Sequence, residues 1–261
     1  MIYAGCDLGT ISAKAVLIDD RNILAVSILP YSSLPRQAAF QVLEKALADA
    51  GLDESQIAFC LATGFGKKAV PFANGDIPEL ICLSRAAKAL NPEIRTVIDG
   101  GGQSIKAFNM DAGGKVTGSS TNEKCASGTG KFMEVMAHAL EMPVDSLSRS
   151  ALASTHPLPI TSQCGVFAES EVITHVNDGK DRLDIFAGIS LSVAGKIAGT
   201  VRRIHLDEQV AMVGGLAKNE IVVRDLQNEL NITLAEYAMD PQALSAYGAA
   251  LMACEKCPVS L

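Results

Sequence analysis

A strand, an aspartate, a glycine turn and a lysine occur in that order twice in this chain, about 90 residues apart. The first copy is an apolar run ending in Asp7-Leu8-Gly9-Thr10, followed after Lys14 by alternating Ala15, Leu17 and Asp19. The second is an apolar run over 96–98 ending in Asp99-Gly100-Gly101-Gly102-Gln103-Ser104-Ile105-Lys106, then Ala107-Phe108-Asn109-Met110 and a Gly113-Gly114 turn. Each reads as strand, tight turn, strand. A single hairpin of this kind needs its glycine only for the turn. Two of them point to a duplicated βββαβα unit, which sets the two hairpins opposite each other across a cleft.

The tip of such a hairpin gathers backbone N–H groups, a hydroxyl from Thr10 or Ser12, a carboxylate and a lysine. That set suits a nucleotide phosphate and its Mg²⁺. Further along, a strand over 210–213 delivers Gly214-Gly215-Leu216-Ala217-Lys218-Asn219 to the start of a helix. Paired glycines there let a backbone lie against an adenine or ribose, and equally make a tight βα turn. A third glycine loop, Thr63-Gly64-Phe65-Gly66-Lys67, follows a short strand over 57–62.

Helical periodicity predicts helices over about 35–50, ended by Gly51, over 79–90, stopped by Asn91-Pro92, and over 184–203, rich in small residues. A final helix is expected over 243–254, where Tyr247-Gly248-Ala249-Ala250 is small enough to sit against another backbone.

Two cysteines stand in matched places. Cys125, in NEKCASGTGKF, precedes a glycine-rich turn and a helical pattern over 132–140, and Cys164, in ITSQCGVFAESEVI, precedes another. The start of a helix carries unpaired amide donors and a partial positive charge, which favours a thiolate. Each is a candidate metal or cluster ligand, or a reactive thiol, or a small hydrophobe in the core. Glu169 and Glu171, just beyond Cys164, read equally as capping or solvated carboxylates and as catalytic ones.

Composition narrows the partners. Lys plus Arg 22 against Asp plus Glu 29 gives 22 − 29 = −7, with no long basic run, so no nucleic acid is expected. No stretch approaches the roughly 18 consecutive apolar residues of a membrane span. With no signal-peptide pattern at the start, a cytoplasmic location is expected. Seven cysteines in such a chain point away from a disulfide framework. Cys6, Cys60 and Cys82, in or beside apolar runs, are expected to be buried.

The order of hairpin, hairpin, Gly214-Gly215 loop and small-residue final helix resembles the superfamily of sugar kinases, heat-shock chaperone ATPases and actin. Within it, ATGFGK (62–67), IDGGGQSIKAF (98–108), NEKCASGTGKF (122–132), SQCGVFAESEVI (162–173) and MVGGLAKN (212–219) resemble the activators of 2-hydroxyacyl-CoA dehydratases. These are related to the ATPase subunits of benzoyl-CoA reductase. The resemblance implies an α/β fold of two duplicated actin-like (ribonuclease H-like) domains flanking an ATP cleft. The expected domains are 1–94 plus 244–261, and 95–243 carrying the cluster cysteines.

It also implies a homodimer holding one [4Fe–4S] cluster, with Cys125 and Cys164 of each chain as ligands. Ferredoxin or flavodoxin would reduce it, and ATP would drive a low-potential electron into a dehydratase or related reductase. Asp7 and Asp99 would hold Mg²⁺ through water, with Asp7 and Gln103 serving catalysis. Gly9, Thr10, Ile11, Lys14, Gly101, Gly102, Gln103, Lys106, Gly128 and Gly130 would surround the phosphates. Gly214, Gly215, Lys218 and Gly248 would complete the nucleotide site.

The chain departs from the family pattern in three places: Ser104 stands where an aspartate is usual, the first turn reads Gly9-Thr10-Ile11 rather than Gly-Ser-Thr, and Leu83 replaces a histidine. Cys254 and Cys257 do not map onto the pattern and read equally as a frayed end, a thiol pair or extra ligands. Two rival readings remain: a small-molecule kinase with Asn122 and Glu123 near a sugar hydroxyl, and a non-catalytic ATP- or redox-switched module.

Overall fold

The computed structural model describes residues 1–31, 34–122, 128–161, 164–207 and 209–257. The chain forms two compact units. Unit 1 comprises Met1–Ile94, Met110–Thr117 and Tyr237–Leu261, and unit 2 comprises Arg95–Asn109 and Gly118–Glu236.

In unit 1, β1 (Ile2–Leu8), β2 (Ser12–Asp19) and β3 (Asn22–Pro30) form an antiparallel meander. Helix α1 (Pro35–Ala50) then leads to β4 (Ile57–Thr63), which pairs parallel with β1. The two-residue β5 (Gly75–Asp76) extends the edge, giving the order β3-β2-β1-β4-β5. Helix α2 (Glu79–Leu90) follows, and α8 (Leu244–Lys256) returns from the end of the chain.

Alternation along β1 shows why both faces are covered. Ala4, Cys6 and Leu8 join the core that includes Ala39, Val42, Leu43 and Ala46 of α1. Gly5 and Asp7 face the other way, toward α8. A Cβ on Gly5 would stand 1.9 Å from the Ala246 carbonyl oxygen, so only glycine lets this helix lie on the strand. Helix α1 begins with Pro35 in its first turn and ends at Gly51, whose φ of 65° closes the helix. The Leu52 N–H donates to the Leu47 carbonyl, completing that end.

Unit 2 repeats the plan. β6 (Thr96–Gly100) and β7 (Ile105–Met110) pair antiparallel, β8 (Val116–Asn122) lies beyond β7, and β9 (Val210–Val213) runs parallel to β6. β10 (Leu234–Ala235) is parallel to β9, giving β10-β9-β6-β7-β8. The two sheets therefore share one order strand for strand, as the repeated hairpin predicts.

The long insertion between β8 and β9 holds α3 (Gly130–Ala139), α4 (Val144–Ser150), α5 (Gly165–Asn177) and α6 (Arg182–Val201), and α7 (Glu220–Leu230) follows β9. Helix α6 starts two residues earlier than its periodicity predicts because Asp181 caps it, accepting from the Leu183 and Asp184 N–H groups. It is long and apolar enough to cross a membrane, with mean hydropathy 1.3, but 67% of that window is buried in the structure. Phe186, Ile189, Val193 and Ile197 place it in the core of unit 2. Gly188 meets the Leu158 backbone so closely that a Cβ would lie 1.6 Å from its oxygen.

Candidate functional site

In unit 1 the register of β1 on β2 places Asp7 directly opposite Lys14. The Lys14 ammonium lies 3.1 Å from Asp7 Oδ2, and Ser245 of α8 donates to the same oxygen at 2.6 Å. Asp7 is 2% exposed, and its Oδ1 has no hydrogen-bond partner among the described residues. An unsatisfied buried carboxylate oxygen is costly to maintain and is suited to accept from a metal-bound water. The space around it is kept open by glycine: a Cβ on Gly64, whose φ is +86°, would stand 2.1 Å from that oxygen.

The turn itself is tied down. Gly9 N–H donates to the Ser12 carbonyl at 3.1 Å, Gly66 N–H to the Leu8 carbonyl at 2.8 Å, and Lys14 Nζ to the Ser12 carbonyl at 3.2 Å. Thr10 and Ile11 form the half-exposed crest of this turn.

Unit 2 holds the counterpart. Asp99 is opposite Lys106, with 3.4 Å between Oδ2 and the ammonium, and the Gly101 N–H closes the turn on the Ser104 carbonyl at 2.9 Å. Gln103 is exposed at the crest, and Ser104 is half-buried. Gly214, at φ +84°, crosses this hairpin so closely that a Cβ would lie 2.6 Å from the Gly100 carbonyl and 2.7 Å from Asp99 Oδ1. Gly215 and Lys218 begin and end the single 3-10 turn that follows. Asn219 then caps α7, accepting from the Val222 N–H and the Ser148 hydroxyl.

The same turn is joined to α3. The Gly130 N–H donates to the Gly101 carbonyl at 3.0 Å, and the Lys131 N–H donates to the Gly102 carbonyl at 2.9 Å. Two of the donors that a helix start leaves unpaired are thus used by the hairpin crest. Gly128, at φ +98°, lies against the Lys196 side chain of α6, where a Cβ would be 3.1 Å from Lys196 Cβ.

Cys164 is exposed at the start of α5, beside Val166 (69% exposed) and Phe167 (68% exposed). Glu171 braces the segment before it, accepting from the Thr161 N–H at 2.9 Å and its hydroxyl at 3.0 Å. Phe132 of α3 packs at the first residue of α5, 3.6 Å from where a Gly165 Cβ would be, and Lys196 Nζ stands 5.5 Å over its ring. Cys125, with Glu123, lies outside the described residues. Among the described residues, no three His, Cys, Asp or Glu side chains converge as a metal site.

The other cysteines divide as expected. Cys6, Cys60 and Cys82 are buried, and burial pushes the Cys60 and Cys82 thiols up to about 12 and Cys6 well above its usual value. Cys254 and Cys257 lie half-buried at the end of α8, with the Cys254 thiol raised, chiefly by burial. Gly248 faces α2, where a Cβ would stand 1.8 Å from the Cys82 carbonyl oxygen. Its geometry is that of a helix-crossing glycine.

Ser245 and Gly64 were invisible to spacing arguments. Ser245 is 238 residues from the carboxylate that it meets, and Gly64 reads only as part of a loop.

Two sheets of identical order, each with a cross-strand Asp–Lys pair at a glycine turn, define the class of actin-like and sugar-kinase-type ATPase folds. Likeness to the ROK hexokinase of Thermus thermophilus shows that fold and nothing further: TM-score 0.51 at 14% identity, covering 97% of this chain and 98% of that one. Residues 4–253 match the BadF/BadG/BcrA/BcrD ATPase family, and the chain belongs to that family.

It is 39% identical over 259 residues to the activator of lactoyl-CoA dehydratase of Anaerotignum propionicum, covering 98% of each chain. It is 37% identical to the (R)-2-hydroxyglutaryl-CoA dehydratase activating ATPase of Acidaminococcus fermentans, covering 97% of this chain and 96% of that one. Among solved structures, the activator of 2-hydroxyisocaproyl-CoA dehydratase from Clostridium difficile, with bound ADPNP, aligns with TM-score 0.94 at 36% identity. That alignment covers 98% of this chain and 96% of the other.

Proposed function

We propose that this chain is a cytoplasmic, ATP-dependent electron activator of a 2-hydroxyacyl-CoA dehydratase or related reductase, working as a homodimer with ferredoxin or flavodoxin as donor. The observation that carries this reading is the pair of hydrogen bonds from the Gly130 and Lys131 N–H groups to the Gly101 and Gly102 carbonyls. Through them, the turn expected to hold phosphates is joined to the first turn of the helix that follows Cys125. A change of nucleotide at the turn would then act on a helix start that follows a proposed cluster ligand in the sequence.

Mg²⁺ fits the first hairpin. Asp7 offers a buried, unpaired Oδ1, while Lys14 and Ser245 fix the other oxygen, so the free lone pairs are aimed rather than adaptable. Asp99, opposite Lys106, is the corresponding carboxylate of the second hairpin. Gly9, Thr10, Ile11, Lys14, Gly101, Gly102, Gln103 and Lys106 are assigned to the phosphates, with Gly128 and Gly130 supporting the second turn. Asp7 and Gln103 are assigned to the hydrolytic step, and Gly214, Gly215 and Lys218 to the nucleoside.

A [4Fe–4S] cluster fits a soft donor that is exposed at a helix start, as Cys164 is. With Cys125 it gives two thiolates per chain, and a two-fold dimer supplies the four that a cubane needs. Exposed Val166 and Phe167 beside Cys164 favour a covering second copy. When bound, the cluster would supply the one-electron carrier. The chain's own part is to hold the thiolates, exclude water with this apolar collar and direct helix starts toward negative charge.

Anaerobically purified protein tests the reading by iron content, visible absorption and mass in solution. Roughly four irons per dimer and a broad band at about 400 nm are expected for a thiolate-held cubane. A colourless protein that resists reconstitution with iron and sulfide would overturn it. The half-buried Ser104, in place of a carboxylate, favours one second reading: an ATP-switched module that binds its partner without turnover. That reading requires nucleotide binding with no partner-stimulated hydrolysis.

A further inference from the structure

Tyr31 lies just beyond β3, on the same end of the sheet as the Asp7 hairpin. Its backbone N–H donates to the Ile11 carbonyl at 2.8 Å, which ties it to the crest of the turn. Its ring packs on the core of unit 1, and its hydroxyl reaches back to the glycine loop, 3.5 Å from where a Gly66 Cβ would stand. Gly66 is in turn bonded to Leu8, and Gly64 of the same loop abuts Asp7 Oδ1. Two glycines thus leave room around two polar groups: a carboxylate oxygen without a partner, and a phenol hydroxyl to which no protein hydrogen bond is made among the described residues.

The protonation state of the hydroxyl restricts what it can do. Burial, then the negative charge of Asp7, then Cys6 push the phenol up to about 12. At neutral pH it keeps its proton, so toward an anion it is a donor, and it cannot serve as a base. Lys14, on the strand that returns from the turn, lies 3.1 Å from Asp7 Oδ2 and donates to the Ser12 carbonyl. A neutral donor at the same turn as a lysine complements a group with several acceptor oxygens.

We infer that the Tyr31 hydroxyl is a further nucleotide-binding group of this site, donating to a phosphate oxygen of the nucleotide whose Mg²⁺ Asp7 serves. The inference rests on the nucleotide assignment above and adds a residue to it that neither motif contains.

The chain has four tyrosines and no tryptophan, so no tryptophan masks tyrosine emission, and the difference between the wild type and Tyr31→Phe isolates the Tyr31 contribution from that of Tyr3, Tyr237 and Tyr247. Binding of MgATP and of adenosine is measured by that emission and by calorimetry, in the wild type and in Tyr31→Phe. Tyr31→Phe keeps the ring, and its thermal midpoint and adenosine affinity, which involve no phosphate, verify that it is folded. The expected result is a MgATP affinity weakened roughly tenfold or more, as for loss of a hydrogen bond to a charged group. Adenosine affinity should be unchanged, and most of the emission change on adding MgATP should be lost.

A folded Tyr31→Phe with MgATP affinity within about twofold of wild type and the emission change intact overturns the inference alone; the twofold margin is well below one such hydrogen bond. A wild type that binds adenosine but gains nothing from the phosphates, or binds neither ligand, overturns the nucleotide assignment and this inference together.

Discussion

Asp7 shows how a single carboxylate can be legible in part. Its place before a glycine turn, with a lysine on the return strand, is readable from the sequence because strand pairing converts that spacing into a contact. What could not be read is that one oxygen is doubly held by Lys14 and Ser245 while the other is left bare. Asp7→Asn leaves a 10% exposed Lys14 side chain without its counter-charge. It is expected to lower stability by about 3 kcal/mol, as when one partner of a buried pair is removed. Denaturant midpoints measure this, and MgATP affinity should fall with it. Ser104 supports the opposite experiment. It sits in the crest whose carbonyls hold α3, where the family pattern has a carboxylate, so Ser104→Asp should raise Mg²⁺-dependent ATP turnover. Unchanged turnover and affinity would show that residue 104 does not face the metal.

Long helices were legible because burial on one face imposes a period, and β1 and β6, buried on both faces, were legible as short apolar runs that end at a glycine turn. Short elements were not: β5 has two residues and α4 seven, too few for a period to emerge. Gly248 marks the limit of reading small residues. A glycine that allows close approach says nothing about what approaches, and here it is the Cys82 carbonyl of α2. Gly248→Ala should therefore lower stability by about 1–3 kcal/mol through overpacking, while the folded protein keeps its MgATP affinity. A weakened affinity at full stability would restore the nucleotide role that the sequence predicts. The sheet and α2 also carry a pH signature. Burial pushes the Cys60 and Cys82 thiols up to about 12 in the fold, well above an ordinary cysteine, and shifts Cys6 the same way. Neutral thiols favour the fold fully below pH 9.0, and this contribution is lost as the unfolded chain ionises first. Stability should fall between about pH 9 and 12, by roughly 1.4 kcal/mol per pH unit for each thiol, as urea midpoints across that range would reveal. Replacing Cys60 or Cys82 with Ala should flatten the decline.

For the molecule as a whole, the duplication was visible in the repeated hairpin, and the two sheets bear it out in identical strand order. The assembly proposed around Cys164 is a separate matter, tested directly. Cys164→Ser is expected to abolish cluster iron and to shift the protein toward monomer in light scattering. A variant with full iron content would remove this residue from the ligand set. One further property follows from the route of the chain. Unit 2 takes its segments from the middle of the sequence, while unit 1 joins both ends of it with the short segment Met110–Thr117. The Ser245 hydrogen bond on Asp7 and the backbone that lies over Gly5 both come from α8, which follows every other described helix in the chain. The aspartate proposed to hold magnesium thus depends on a residue 238 positions further along the chain. A chain cut short before Ser245 lacks the donor that fixes Asp7 Oδ2, and is expected to bind MgATP less tightly than the full chain.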